Sequence, residues 1–329
     1  MRAFVDVIRV APAFALSAIL VSSGHAADDA YRFPARPVRA IVPYAPGGGT
    51  DILARVIGEK LYERWQQPLI VDNRPGGGTV IGSDAVARAS ADGYTLLVNT
   101  GTHAVNATLY RKLPFDPVRS FEPVSLLAIA PNVLVVHPSL PATTVQELIA
   151  LARTKPGVLT YSSSGNGGTG HLAMEMLKQM ARVQLVHIPY KGAGPALNAI
   201  VSGEVGVSIN NMIATLPQIR AGRLQVLAVT TEKRSRALPQ VPTIAESGLP
   251  GFDASGWFGV WAPAKTPVAV VNKLSSDFKA VLAQPEVAQT LEQQGAEVAY
   301  LAPAEFGRLV TDEIERWRKV ITSGGIAQD

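Results

Sequence analysis

Two short segments of this chain combine the same residues: Pro46-Gly47-Gly48-Gly49-Thr50 and, 29 residues on, Pro75-Gly76-Gly77-Gly78-Thr79. The first follows the apolar run Val38 to Val42 and precedes Ile52, Leu53, Val56 and Ile57, which recur at helical spacing. A strand that ends in glycines and restarts as a helix leaves backbone N–H groups without partners. With no side chains between, a small anion can lie directly against them. A single Gly triplet is also what a tight turn uses, but two copies at strand-to-helix junctions favour a ligand cradle. Tyr44 stands before the first copy, and Asp51 follows it in the first helical turn, where capping is its ordinary role.

A third donor-rich loop runs Ser162-Ser163-Ser164-Gly165-Asn166-Gly167-Gly168-Thr169-Gly170. Gly165, Gly167 and Gly170 satisfy a GxGxxG spacing, but the next strand runs into Pro189-Tyr190-Lys191 with no acidic residue to hold a ribose, which argues against a dinucleotide site. There is no GxSxG elbow, and Ser163 or Ser164 has no recognisable His and Asp partners, so an exported hydrolase is the weaker reading. His171, on the first turn after this loop, is equally suited to packing or to binding. His103, His137, His171 and His187 are scattered, which predicts no metal and no cofactor. What remains is Tyr44–Thr50, Arg74–Thr79, Thr100-Gly101-Thr102, the Ser162–Thr169 loop and Asn210-Asn211, each at a predicted strand end. These loops donate hydrogen bonds and activate nothing. That is the profile of a binding protein. Arg74 is better suited to pairing with a carboxylate of the chain than to meeting a ligand.

The elements that must position these loops alternate. Strands are predicted at 39–43, 69–72, 95–99, 133–136, 159–163, 184–188, 205–209, 226–230 and 297–300. Helical patterns fall at 52–65, 82–90, 145–154, 170–180, 193–202 and 216–221, with three more, Pro-started, at 267–283, 285–295 and 303–321. This alternation predicts an α/β protein of mostly parallel sheets flanked by helices. Two Pro-flanked extended stretches, 124–136 and 256–262, lack helices of their own and read as crossovers. They would make residues 28–127 plus 257–329 one lobe and residues 128–256 the other.

Arg2 and Arg9, an apolar stretch from Val10 to Val21, and Gly24-His25-Ala26 form a secretory signal peptide (residues 1–26) cleaved near Ala26. Its removal takes away two arginines and Asp6, lowering the formal charge of +4 by one. Such a mild excess, without a dense basic block, predicts no nucleic-acid partner. No other apolar run reaches spanning length, so the mature form has no membrane anchor. With zero Cys, stability must come from core burial.

The signatures Arg36-Pro37-Val38 through Pro43-Tyr44-Ala45-Pro46-Gly47-Gly48-Gly49-Thr50-Asp51, Asn73-Arg74-Pro75-Gly76-Gly77-Gly78, Ala91-Asp92-Gly93-Tyr94, Leu113-Pro114-Phe115-Asp116, Tyr161-Ser162-Ser163-Ser164-Gly165, His187-Ile188-Pro189-Tyr190-Lys191-Gly192 and Gly256-Trp257-Phe258-Gly259 resemble, in order, those of the TctC-like or Bug family. The resemblance implies a two-lobed periplasmic-binding-protein (Venus-flytrap) fold with the crossovers as hinge. It implies capture of a small carboxylate by lobe closure, delivery to an inner-membrane permease or a sensor kinase, a periplasmic location and a monomer. Carried over residue by residue, the ligand carboxylate would meet Tyr44–Asp51 with Gly77, Gly78 and Thr79, and the second lobe would add Ser163, Ser164, Gly165 and Asn166. Thr100, His171 and Asn210 complete the candidate site.

Overall fold

The computed structural model describes residues 33–324 and 326. The signal peptide and cleavage site expected from the sequence lie outside them. β1 (Val38–Val42) is inserted between β2 (Leu69–Asn73) and β3 (Thr95–Thr100), parallel to both. Flanked on both edges, it needs apolar residues on both faces, and four of its five positions are buried. α1 (Gly49–Trp65) buries Leu53, Ile57, Leu61 and Trp65, spaced four apart on one face. Its far end is tied down by Arg64 Nε and Trp65 Nε1, which donate to buried Asp277 at 2.8 and 2.7 Å.

A 3-10 turn (Gly77–Thr79) leads into α2 (Val80–Ala87), and β3 leads into α3 (Thr102–Leu109). The chain then runs β4 (Phe121–Ala130), β5 (Asn132–Val136), α4 (Val145–Thr154), β6 (Thr160–Ser163), α5 (Thr169–Ala181), β7 (Val186–Pro189), α6 (Ala193–Val201), β8 (Val207–Asn211), α7 (Met212–Arg220) and β9 (Gln225–Val229). It finishes with β10 (Gly256–Pro263), α8 (Val268–Leu282), α9 (Pro285–Gln293), β11 (Glu297–Leu301) and α10 (Pro303–Gly324).

Two sheets result, in the orders β11-β4-β10-β3-β1-β2 and β7-β6-β8-β5-β9. They are parallel where strand and helix alternate and antiparallel where the crossover strands enter: β10 runs against β3 and β4, and β5 against β8 and β9. The sheets are therefore mixed, because a strand that returns from the other sheet arrives in the opposite direction. Between β4 and β5 only Pro131 intervenes. The Thr230 hydroxyl accepts the Asn132 N–H at 3.1 Å and donates to the Ala254 carbonyl at 2.9 Å, clasping the two crossing segments. α3 is not among the helical patterns of the sequence, which shows only a Thr100-Gly101-Thr102 loop at its start. Its buried side includes Thr102, His103 and Asn106, which conceal the apolar stripe. Among the described residues no helix is long and apolar enough to cross a membrane.

Candidate ligand-binding cleft

The loops that end β1, β3, β6 and β8 converge on one cavity. Tyr44, Gly48, Gly49, Thr50 and Thr100 line it from the first sheet, with Gly256, Trp257 and Phe258 at the start of β10. From the second sheet come Asn132, Ser164, Thr169, Gly170, Ala193, Ile209, Asn210 and Asn211. Its volume of about 30 Å³ is room for about two water-sized groups.

The glycines are where the walls meet. Ala45 N–H donates to the Lys191 carbonyl at 2.9 Å. A Cβ added to Gly49 would lie 2.2 Å from Asn211 Oδ1, and one on Gly194 would lie 2.7 Å from the Pro46 carbonyl. On Gly78 it would lie 2.8 Å from the Asn166 carbonyl, and on Gly167 2.2 Å from Leu109. At Gly194 and Gly78 the neighbour is a backbone carbonyl, so there only glycine lets the two backbones approach; at Gly49 and Gly167 it is a side chain that would have to move.

Four helices start at the cavity: α1 at Gly49, α5 at Thr169, α6 at Ala193 and α7 after Asn211. In α1, α5 and α6 no side chain caps the N-terminus. In α7 Asn211 Oδ1 accepts the Ile213 N–H at 3.0 Å. Uncapped first turns offer free N–H groups and the positive end of the helix dipole, an environment suited to an anion. No residue lining the cavity carries a formal charge at neutral pH. Tyr44 is its one titratable side chain, and burial raises its phenol above the ordinary range. Its hydroxyl lies 3.0 Å from Asn99 Oδ1 and 2.9 Å from Thr100 Oγ1.

The remaining candidates stand around this cavity. Asp51 is buried but turned back along α1, accepting the Gly47 N–H at 3.0 Å and Arg55 at 2.9 Å. Burial alone would raise its carboxyl, but Arg55, the Gly47 amide and Asn73 outweigh that and hold it below the usual range. Pro46 and Gly47 are exposed and do not line the cavity. Gly77, Gly78 and Thr79 do not line the cavity; Tyr110 and Asn106 donate to the Gly77 and Gly78 carbonyls at 3.1 and 2.9 Å. Arg74 pairs with Asp72 at 2.9 Å.

Of the third loop, Ser164, Thr169 and Gly170 reach the cavity, whereas Ser163, Gly165 and Asn166, and His171 after them, do not line it. Ser163 does have a histidine partner: its hydroxyl lies 2.7 Å from His187 Nε2 and accepts the Gly165 N–H at 3.2 Å. A serine–histidine pair can begin a nucleophilic site. This one has no access to substrate, since Ser163 is fully buried and lines no part of the cavity. The His187 ring stacks on His171 with centroids 4.0 Å apart, and His171 Nδ1 accepts the Gly167 N–H at 3.1 Å. Burial, then the neighbouring His171 and Lys178, push the His187 imidazole down to about 3; burial pushes His171 down to about 4. Both rings are neutral at physiological pH, and together they brace the loop from below. Among the described residues no His, Asp or Glu cluster could hold a metal ion.

Sequence reading named Thr169 and Gly170 only as part of the third loop, and did not single out Asn132, Ala193, Ile209, Gly256, Trp257 or Phe258 as site residues. The signal available was indirect: Gly256-Trp257-Phe258 opens a crossover, and Ala193 follows a Gly at a strand-to-helix junction.

Residues 53–326 match the family described as "Tripartite tricarboxylate transporter family receptor". Protein BugT of Bordetella pertussis is 38% identical over 295 residues, covering 89% of this chain and 90% of that protein. Among solved structures, R. palustris Rpa4515 with adipate is 42% identical with a TM-score of 0.87, covering 90% of this chain and 99% of that one. MatC (Rpa3494) from Rhodopseudomonas palustris with bound malate is 33% identical with a TM-score of 0.84, over 88% of this chain and 100% of that one. These relatives are solute-binding receptors rather than enzymes. The chain belongs to the tripartite tricarboxylate transporter receptor family, the TctC or Bug family of periplasmic solute-binding proteins.

Proposed function

We propose that this receptor captures a small carboxylate-bearing metabolite between its two lobes, residues 28–127 with 257–329 and residues 128–256, and passes it to a tripartite tricarboxylate-type permease. The observation that carries this reading is the convergence of three uncapped helix N-termini on a cavity with no charged side chain. A carboxylate at a helix start gains about 0.3–1 kcal/mol, and up to about 2 when partly buried. Charged hydrogen bonds add about 1.5–3 kcal/mol each, so binding needs no arginine. The crossing segments clasped by Thr230 would be the hinge, and the glycine contacts would be the surfaces that come together on closure. The relatives that hold adipate and malate, both carboxylates, support the class of ligand.

A thermal-shift screen of the mature protein against mono-, di- and tricarboxylates tests this. A ligand at about 100 times its Kd stabilises the native state by about 2.7 kcal/mol, a shift of several degrees. No stabilisation by any carboxylate, with native folding confirmed, would sink the reading. The permease assignment is tested separately: deleting the gene should abolish uptake of the ligand that binds, and uptake at the wild-type rate would reject it.

A further inference from the structure

One apolar stripe of α10 serves two cores. Phe306, Val310 and Ile314 recur at every fourth position and pack beside Trp257 and Trp261 in the core of the first sheet. The stripe continues through Trp317 and Ile321, which lie in the core that holds Tyr161 of β6, Leu172 of α5 and Ile209 of β8. A helix that follows β11 of the first sheet thus ends inside the core of the second. Trp317 and Ile321 are both buried, so this end of α10 cannot leave that core without exposing them to water.

Glu313 stands where the stripe changes core, and it too is buried. Its Oε2 accepts the Trp257 indole N–H at 3.2 Å and the Trp317 indole N–H at 3.0 Å. Its Oε1 accepts Arg316 Nη1 at 3.1 Å. Arg316 Nη2 in turn donates to the Asp253 carbonyl at 2.7 Å. The next residue, Ala254, is held by Thr230: its N–H donates to the Thr230 carbonyl at 2.8 Å, and its carbonyl accepts the Thr230 hydroxyl. One carboxylate is therefore joined to a wall of the ligand cavity, to the core of the second sheet and to the crossing segments. Trp257 lines the cavity; Glu313, Arg316 and Trp317 do not. A buried carboxylate that loses a donor is left with an uncompensated charge, which is strongly unfavourable. A movement of the second core that carries Trp317 must carry Glu313 as well or break a charged hydrogen bond, and Trp257 goes with it.

Resting on the ligand-capture reading above, we propose that α10 is a strut between the two lobes and that Glu313 is its positioning residue. Glu313 holds Trp257, one wall of the cavity, in register with the second lobe. Ligand affinity then depends on a carboxylate that the ligand never touches, and Trp317 acts on the cavity only through it.

The test combines calorimetry with hydrogen exchange on the mature protein, the titrant being the carboxylate that gives the largest thermal shift. Trp317→Phe keeps a ring in the second core and removes the N–H that Glu313 accepts. It should lower affinity about tenfold, the loss of one charged hydrogen bond coupled to the site. Glu313→Ala should lower affinity at least as far. Adding Trp317→Phe to it should cost nothing more, since both changes cut one path. Leu148→Ala, in the same second core but on α4, should lower the melting temperature and leave affinity within about twofold, as a distant, independent site does. In the ligand-free protein, Trp317→Phe should raise amide exchange across residues 253–258 about threefold or more by loosening that segment locally, and Leu148→Ala should not. Should Glu313→Ala fail to fold, Trp317→Phe decides alone. Wild-type affinity or wild-type exchange in Trp317→Phe, an equal loss in Leu148→Ala, or losses that multiply in the double variant would each overturn the inference. Silence from every carboxylate would overturn the ligand-capture reading instead, and exchange at 253–258 would then decide the strut.

Discussion

Pro46–Thr50 and Pro75–Thr79 are identical in sequence and build different things. In the first copy only Gly47 is left-handed; Gly48 is extended at φ −84°, and Gly49 and Thr50 enter α1 directly at the cavity. In the second, Gly76, Gly77, Gly78 and Thr79 have φ of 128, 55, 57 and 80°, forming a tight turn outside the cavity. The residue after the motif separates them. Asp51 folds its carboxylate back onto the Gly47 N–H, fixing the loop against the helix it opens, as acids in a first turn do. Val80 cannot, and the second copy is held from outside by Asn106 and Tyr110. A motif of glycines specifies that backbones approach closely; its neighbours decide what they approach.

The largest effect should come from the point where the first copy meets the other wall. Gly49→Ala places a methyl 2.2 Å from Asn211 Oδ1 and 2.9 Å from its Cγ, so the walls reach the separation seen here only if the Asn211 side chain turns away from the cavity wall it lines. Affinity for the best carboxylate should fall at least a hundredfold, while the ligand-free melting temperature holds or rises, since Ala exceeds Gly in helix propensity by up to about 1 kcal/mol. Retained affinity by calorimetry would mean that the Gly49–Asn211 contact is not formed in the bound state.

Asp51→Val gives the first copy the kind of residue that follows the second. It removes the bonds to the Gly47 amide and Arg55, and should cost about 1–3 kcal/mol of stability and at least tenfold in affinity. Because the Asp51 carboxyl is held below its ordinary 3.8, its contribution is complete above that pH and is lost as acid takes it through the lower native value. The deficit of the variant should therefore be equal at pH 6 and pH 8. A loop that keeps full affinity without Asp51 would show that the glycines alone set its shape.

Much of this was legible in sequence because one periodicity dominates each element. Alternation located the strands from β1 to β3 and from β5 to β9, along with β11, and Pro starts located α8 to α10. Where burial is polar, periodicity fails. α3 hides Thr102, His103 and Asn106, and His103 is accommodated by its Nε2 lying 2.8 Å from the Pro117 carbonyl. The cavity was legible as a set of strand ends and not as a set of contacts. Asn132, Gly256 and Phe258 reach it because the crossover strands pass beneath it, which depends on how two sheets are arranged. The Ser163–His187 pair is a matter of register. Tyr161 lies opposite His187 and Ser163 opposite Pro189 on parallel strands, so side chains 24 apart in the chain share one face.

The finest test compares the two threonines. Thr79, a β-branched residue at φ 80°, occupies a conformation that costs L residues about 1–2 kcal/mol. It is kept there by Asn106 Nδ2, which donates to its hydroxyl at 3.0 Å and to the Gly78 carbonyl at 2.9 Å. Thr79→Gly relieves the strain and forfeits a hydrogen bond worth about 1 kcal/mol, so the two changes nearly cancel. Stability in urea should move by less than about 1 kcal/mol, and affinity should stay within twofold. Thr50→Gly relieves nothing, since Thr50 already has helical geometry in α1. It removes a hydroxyl from the cavity wall and should weaken carboxylate binding about tenfold, the loss of one hydrogen bond to a charged group. Equal losses of affinity at the two positions would mean that both copies hold the ligand, and that the division drawn between them by the residue after the motif is wrong.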